Sequence, residues 1–362
     1  MIFAVWLPLV MPLLAVPTAR RLAASLPPRA AAWLLAGCAA ALAACTAAAL
    51  GLLTVAGALR LPPVAAFGHL ERALPGGDAV VTVPAAPVAG ALLACCAFAV
   101  ARRALRHRAE LRAARRAADA HGLAGDLCVL PEAAPDAYAL PGRPGRVVVT
   151  AGMLRALPPA EREALFAHER AHLAGRHHLF LLAAELAAVC HPLLRELRSP
   201  LAYALERWAD ESAAARVGDR QVTARAIGRA ALAARTPADM TCTPPDSSAR
   251  PGCWPNAGNA CTATWCSCSS PARRATTRTH AAAPRPSAAP AATTGPVPRR
   301  VAALLGSDRA ADRPRGRSLP GGRRLIAAAL LACVTFSAAG AVDAAADLHQ
   351  TVETAQGEQP GR

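Results

Sequence analysis

The stretch Ala167-His168-Glu169-Arg170-Ala171-His172 places two imidazoles and a carboxylate where one helix can aim all three at a single ion. Residues four apart stand one turn above each other on a helix, so His168 and His172 share a face. Two neutral imidazoles so placed can ligate one tetrahedral Zn²⁺, with Glu169 beside them to take a proton from the attacking water. Leu165, His168, Glu169 and His172 recur at i, i+3, i+4 and i+7, so one face carries the chemistry. The helix is punctuated: Pro158 and Pro159 suit its first turn, Glu161 and Glu163 favour the positive end of its dipole, and Gly175 can close it in a left-handed conformation.

HExxH also arises by chance on Ala- and Arg-rich helices, so a third ligand decides. The best candidate is Glu206, in a stretch with Ser199 as N-cap, Pro200 as first helical residue and Gly218 as terminator. Asp210 follows Glu206 by one turn. One carboxylate can then bind zinc while the other accepts the N–H of a ligand histidine and fixes its tautomer. Glu185, in an apolar run, and Glu196, after His191-Pro192, are weaker rivals for the third ligand. His177 and His178 stand beyond Gly175 and are expected to be solvated, although a supporting role for one of them is open.

HERAH at 168–172 followed by Glu206-Arg207-Trp208-Ala209-Asp210, with an apolar segment between them and membrane spans on both sides, resembles the membrane-embedded zinc metallopeptidases of the beta-lactam sensor-transducer type, BlaR and MecR. Those are related to the heat-shock membrane protease and the CAAX-prenyl endopeptidase. Asp136-Ala137-Tyr138-Ala139 and the segment 145–154 look like the edge strand and the turn into the zinc helix of that group. The likeness covers roughly 80–235, and weakly Val301-Ala302-Ala303-Leu304-Leu305. It implies a zinc endopeptidase with His168, His172 and Glu206 as ligands, Glu169 as general base and Asp210 behind a ligand histidine. It further implies a protein substrate of the cytosolic winged-helix repressor kind. Only twenty residues follow Val342, too few for an extracellular penicillin-binding domain, so direct sensing of beta-lactam is not expected of this chain.

The elements that must carry this site are largely membrane-borne. Of 362 residues 54% are hydrophobic and mean hydropathy is +0.26, which is too apolar for an ordinary soluble protein. The formal charge of +16 rests on arginine alone, as no lysine occurs. With aromatics at 4%, base-stacking surfaces are not expected, so the basicity reads as the positive-inside bias of a membrane protein rather than direct nucleic-acid binding.

The expected fold is mostly α: an integral membrane protein with about four transmembrane helices and a cytosolic, gluzincin-like α+β peptidase domain. Residues 1–104 hold three spans, about 2–19, 30–59 and 79–101, each near or above the roughly 20 residues a bilayer core requires. The peptidase domain occupies 105–235. Residues 236–300 form a low-complexity Pro/Ala/Thr/Cys linker whose composition also fits translation out of frame. A basic juxtamembrane segment at 301–324, a fourth span at 325–342 and a short acidic external tail at 343–362 complete the chain. Arg20, Arg21 and Arg29 in the first loop, and Arg102, Arg103, Arg106 and Arg108 after the third span, put those connections in the cytosol and both termini outside the plasma membrane. Arg146 to Thr150 is expected to be extended and to offer an edge to a substrate strand. Two rival readings are a catalytically silent membrane signalling or scaffold protein and a membrane quality-control protease.

Overall fold

The computed structural model describes residues 2–61, 64, 79–121, 123–235, 296–306 and 321–356. Most of the expected linker, 236–295, and most of the basic segment, 307–320, lie outside the described residues.

Three helices among the described residues are long and apolar enough to cross a membrane. They are α3 (Pro28–Ala58), α4 (Ala79–Asp119) and α11 (Gly321–Ala355). The expected span at 2–19 is not one of them. It is divided into α1 (Ile2–Val10) and α2 (Pro12–Ala23), nine and twelve residues, because Pro12 has no N–H to continue the ladder. Met11 between them is still helical, with φ −54° and ψ −32°, so the two follow one another against α3 and α11. Nor does α11 stop at Val342; it runs on as helix through Asp343 and Asp347.

At about 1.5 Å per residue, the 41 residues of α4 reach about 60 Å, twice a hydrocarbon core of about 30 Å. Its apolar first half suits lipid, and its arginine-rich second half stands clear as a stalk. There Ala114 and Ala118 pack onto a small sheet with Cys128, Leu130, Tyr138, Leu140 and Val148.

That sheet has four strands, β1 (Leu123–Ala124), β2 (Leu127–Leu130), β3 (Ala137–Leu140) and β4 (Arg146–Thr150), in the order β1-β2-β4-β3. β2 and β4 are parallel, with Leu127 opposite Val147; β3 and β4 are antiparallel, with Tyr138 opposite Val148. β4 is therefore interior, and the expectation that Arg146 to Thr150 presents an edge is corrected: the edge beside it is β3. The physical reason is legible in Val147-Val148-Val149, all buried, since an uninterrupted β-branched run suits a strand covered on both faces. Thr150 ends the strand by accepting the N–H of Met153 at 3.2 Å, the cap of α5 (Ala151–Ala156).

The other face of the sheet meets α6 (Pro159–Ala174) and α9 (Arg220–Arg235) through Ala137, Val149, Met153, Leu157, Leu165 and Ala230. α7 (His177–Cys190), a 3₁₀ turn at Pro192–Leu197 and α8 (Arg198–Val217) then pack against α3 in a second core containing Leu35, Leu42, Phe180, Leu194, Leu201 and Leu205. The bent pair α6–α7 also has the length and apolarity of a broken span. We read it as packed with the sheet, because α6 is charged along its length and lies on it. α10 (Val297–Gly306) docks on α8 and α9 through Val297 and Leu304, so ordered helix begins inside the stretch expected as linker.

Glu185, the intramembrane-like carboxylate on α7, faces protein. It accepts from Arg103 Nε of α4 at 2.8 Å and from Arg198 Nη2 at 2.9 Å, which ties the stalk to the helices of the site.

Candidate metal centre

α6 begins as its sequence requires, with Pro159 as first residue and Glu161 in the first turn. Its end differs from expectation. Gly175 is right-handed, with φ −77°, and the left-handed residue is Arg176, with φ 51° and ψ 41°. α8 starts at Arg198, directly from the 3₁₀ turn, so Ser199 does not cap it; Gly218 does end it in the left-handed region, with φ 79°.

α6 and α8 cross so that their polar positions meet in a dry interior. The Nε2 atoms of His168 and His172 are 3.0 Å apart. Glu206 Oε2 lies 3.5 Å from His168 Nε2, and its Oε1 lies 3.6 Å from His172 Nε2. Ligand atoms about 2.05 Å from a tetrahedral zinc stand about 3.3 Å from one another. The three side chains are thus already at the spacing of a shared zinc, and among the described residues they are the His/Cys/Asp/Glu group that converges in this way. The residues present fit the metal in donor type as well as spacing. Neither rival carboxylate joins them: Glu185 is held by Arg103 and Arg198, and Glu196 pairs with Arg20 at an exposed site.

Asp210, one turn beyond Glu206, places Oδ1 3.0 Å from His168 Nδ1. That contact leaves Nε2 of His168 for the metal, the tautomer-fixing role expected of it. Glu169 is fully buried beside His168 on the same helix. His168, His172, Glu206 and Asp210 therefore come together, and Glu169 is buried next to them on α6.

Two residues were missed. Arg300, on α10, is fully buried; its Nε and Nη2 donate to Asp210 at 2.8 and 2.6 Å, and its Nη1 makes an ion pair with Glu206 Oε2 at 2.8 Å. This fork clamps the two carboxylates of α8. No local signal announces it, because it is one of many arginines and lies far along the chain from Asp210. His177, expected in solvent, is instead completely buried, with Nδ1 2.7 Å from Nδ1 of His172.

The electrostatics divide the two ligand histidines. Burial pushes the imidazolium form of His168 down, but the hydrogen bonds and charges of Asp210 and Glu206 outweigh it and raise the pKa to about 9. His172 is held well below its ordinary value by burial and by the neighbouring His168, His177 and Arg300. Asp210, though buried, is kept below the usual carboxylate range by Arg300 and His168. His168 would hold a divalent cation through Nε2 only with that nitrogen unprotonated.

Two imidazoles on one helix, a carboxylate from a second and a buried glutamate next to the first imidazole make a group that could hold a metal ion, in a chain with several helices long and apolar enough to cross a membrane. Residues 102–195 match the family model of Peptidase family M48. The matched segment runs from the arginine stalk to the 3₁₀ turn and includes His168, Glu169 and His172; Glu206, Asp210 and Arg300 lie beyond it. No curated protein and no solved structure matches the chain.

Replacing Asp210 by Asn should weaken zinc binding by about 10–100-fold, the usual effect of removing a partner that orients a ligand histidine. Competition with a chromophoric chelator measures it, and an unchanged affinity would remove Asp210 from that role.

Proposed function

We propose that the chain is an integral-membrane zinc metalloendopeptidase that cleaves a protein in the cytosol or next to the inner leaflet. The observation that supports this most directly is the convergence of His168, His172 and Glu206 at ligand spacing, with Glu169 buried alongside.

Zinc, when bound, would supply Lewis acidity, acidifying the attacking water and polarising the scissile carbonyl. Glu169 would accept the proton of that water and pass it to the leaving amine. Asp210 would hold His168 with Nε2 directed at the metal, while Arg300 holds Asp210 and Glu206 in place.

The arginines of the first loop and of the stalk favour a cytosolic peptidase domain. The likeness to the sensor-transducer peptidases favours a winged-helix transcriptional repressor as substrate, so that cleavage would relieve repression; the bilayer itself is the other partner.

Metal analysis of the detergent-purified protein tests the reading. About one zinc per chain is expected, lost on replacing His168 or Glu206 by Ala. A wild-type protein that neither retains nor takes up stoichiometric zinc would overturn it.

A further inference from the structure

The two ligand histidines are supported from behind in chemically different ways. His168 rests on a carboxylate. His172 rests on another imidazole, supplied by the residue that follows the left-handed turn after the zinc helix. We propose that His177 is the positioning residue of His172, accepting a hydrogen bond from its Nδ1–H and so directing its Nε2 lone pair to the metal.

The tautomer argument starts from His172. Its Nε2 faces His168 Nε2 and Glu206 Oε1, so the neutral ring that serves as a ligand must carry its proton on Nδ1. The atom 2.7 Å from that Nδ1 is Nδ1 of His177, which must therefore be the acceptor and hold its own proton on Nε2. The ring is clamped in place: Trp208 of α8 stacks at 4.6 Å between centroids and Phe180 stands edge-on at 6.3 Å.

The backbone between the two helices is arranged to bring this ring back. Arg176 adopts the left-handed conformation, unfavourable for a residue with a Cβ, and bends the chain by 56° between α6 and α7, with His177 beside His172. Gly175 is not needed for its φ, which any residue tolerates. It is needed for space, since a Cβ there would fall 2.3 Å from His177 Nε2 and 2.6 Å from its Cδ2. Gly175, Arg176 and His177 thus act together to seat one imidazole.

A neutral acceptor also suits the charge of the site. Glu169, Glu206 and Asp210 are balanced by Arg300 and a dication, leaving the buried cluster with no net charge. A fourth carboxylate behind His172 would add an uncompensated one. Sequence reading left a supporting role for one of His177 and His178 open but favoured solvent, because an adjacent His-His pair just past a helix end usually faces water.

The inference rests on the zinc reading of the site, and its test separates the two. Zinc affinity is measured by chelator competition on the full chain in detergent, for the wild type, His177→Leu, His177→Asn, Gly175→Ala and the double variant Gly175→Ala with His177→Ala. His177→Leu should weaken binding about 10–100-fold. His177→Asn, whose amide oxygen can take the place of Nδ1, should stay within a few-fold of wild type. Gly175→Ala should weaken binding in the wild-type background and, when the double variant is compared with a His177→Ala single variant measured alongside it, have no further effect once the ring is gone. The ligand-field bands of the Co²⁺-substituted protein should move in His177→Leu and not in His177→Asn, a readout independent of catalysis. Should His177→Leu not fold, the Asn variant and the Gly175 cycle decide the matter alone. Wild-type affinity in His177→Leu, or a Gly175→Ala effect that is the same with and without the ring, overturns the proposal. A wild type that binds no zinc overturns the metallopeptidase reading instead.

Discussion

Glu169→Gln is expected to abolish proteolysis, by a factor on the order of 10²–10⁴ for the loss of a general base, while zinc stays bound at the wild-type stoichiometry. The two effects separate because Glu169 is not part of the ligand triad: His168, His172 and Glu206 converge without it. Gln has nearly the same shape, so the packing of α6 against α8 is preserved in a place where Glu169 has no exposed surface. What is lost is the ability to accept a proton from water and hand it to the departing amine. Cleavage by the detergent-solubilised protein and zinc per chain, measured on the same sample, check the assignment. Retained proteolysis in the Gln variant would refute it. The same variant identifies the substrate: proteins that accumulate uncut in cells carrying it, and are cut in the wild type, are the candidates, and a winged-helix repressor among them is the expected result.

How much of this could be read beforehand depends on the range of the interactions. His168, Glu169 and His172 are set by the periodicity of one helix, and Glu206 and Asp210 by that of another, so their spacing carries over directly into three dimensions. Strand placement is non-local. Arg146 to Thr150 is plainly extended in the sequence, but its position inside the sheet follows from pairing with both β2 and β3. The three consecutive valines were the available clue. The left-handed stop of α6 was misplaced by a single residue: Gly175 looked like it, whereas Arg176 takes that conformation and Gly175 is where His177 approaches closely. That shift of one position also turned a solvated histidine into a buried one.

The membrane part shows the same division. α3, α4 and α11 contain the long uncharged runs, but composition sets no helix ends, and each extends beyond its apolar stretch or starts before it. The first run was long enough by count; Pro8, Pro12 and Pro17 within it decide its geometry.

Arg300 was the least legible residue, and replacing it should have the largest effect on stability. In Arg300→Met the aliphatic volume of the side chain is largely kept, but Asp210 and Glu206, both buried, lose the guanidinium that bridges them at 2.6 to 2.8 Å. Removing one partner from a buried ionic cluster destabilises by about 3–5 kcal/mol, because the remaining charges have no solvent to turn to. Lysine should not rescue, since one ammonium cannot reproduce a fork that spans two carboxylates. The destabilisation should be largest in chelator-treated protein and smaller with zinc present, because the cation compensates Glu206 directly and His168 continues to hold Asp210. α10 should also loosen, as Arg300 is its polar anchor to α8 alongside the apolar contacts of Val297 and Leu304. Thermal unfolding of Arg300→Met and Arg300→Lys in detergent, each with zinc and with chelator, tests this. Wild-type melting in the metal-free Met variant would mean that the three side chains do not form one buried electrostatic unit. A penalty that zinc does not reduce would mean that the metal does not bind next to them.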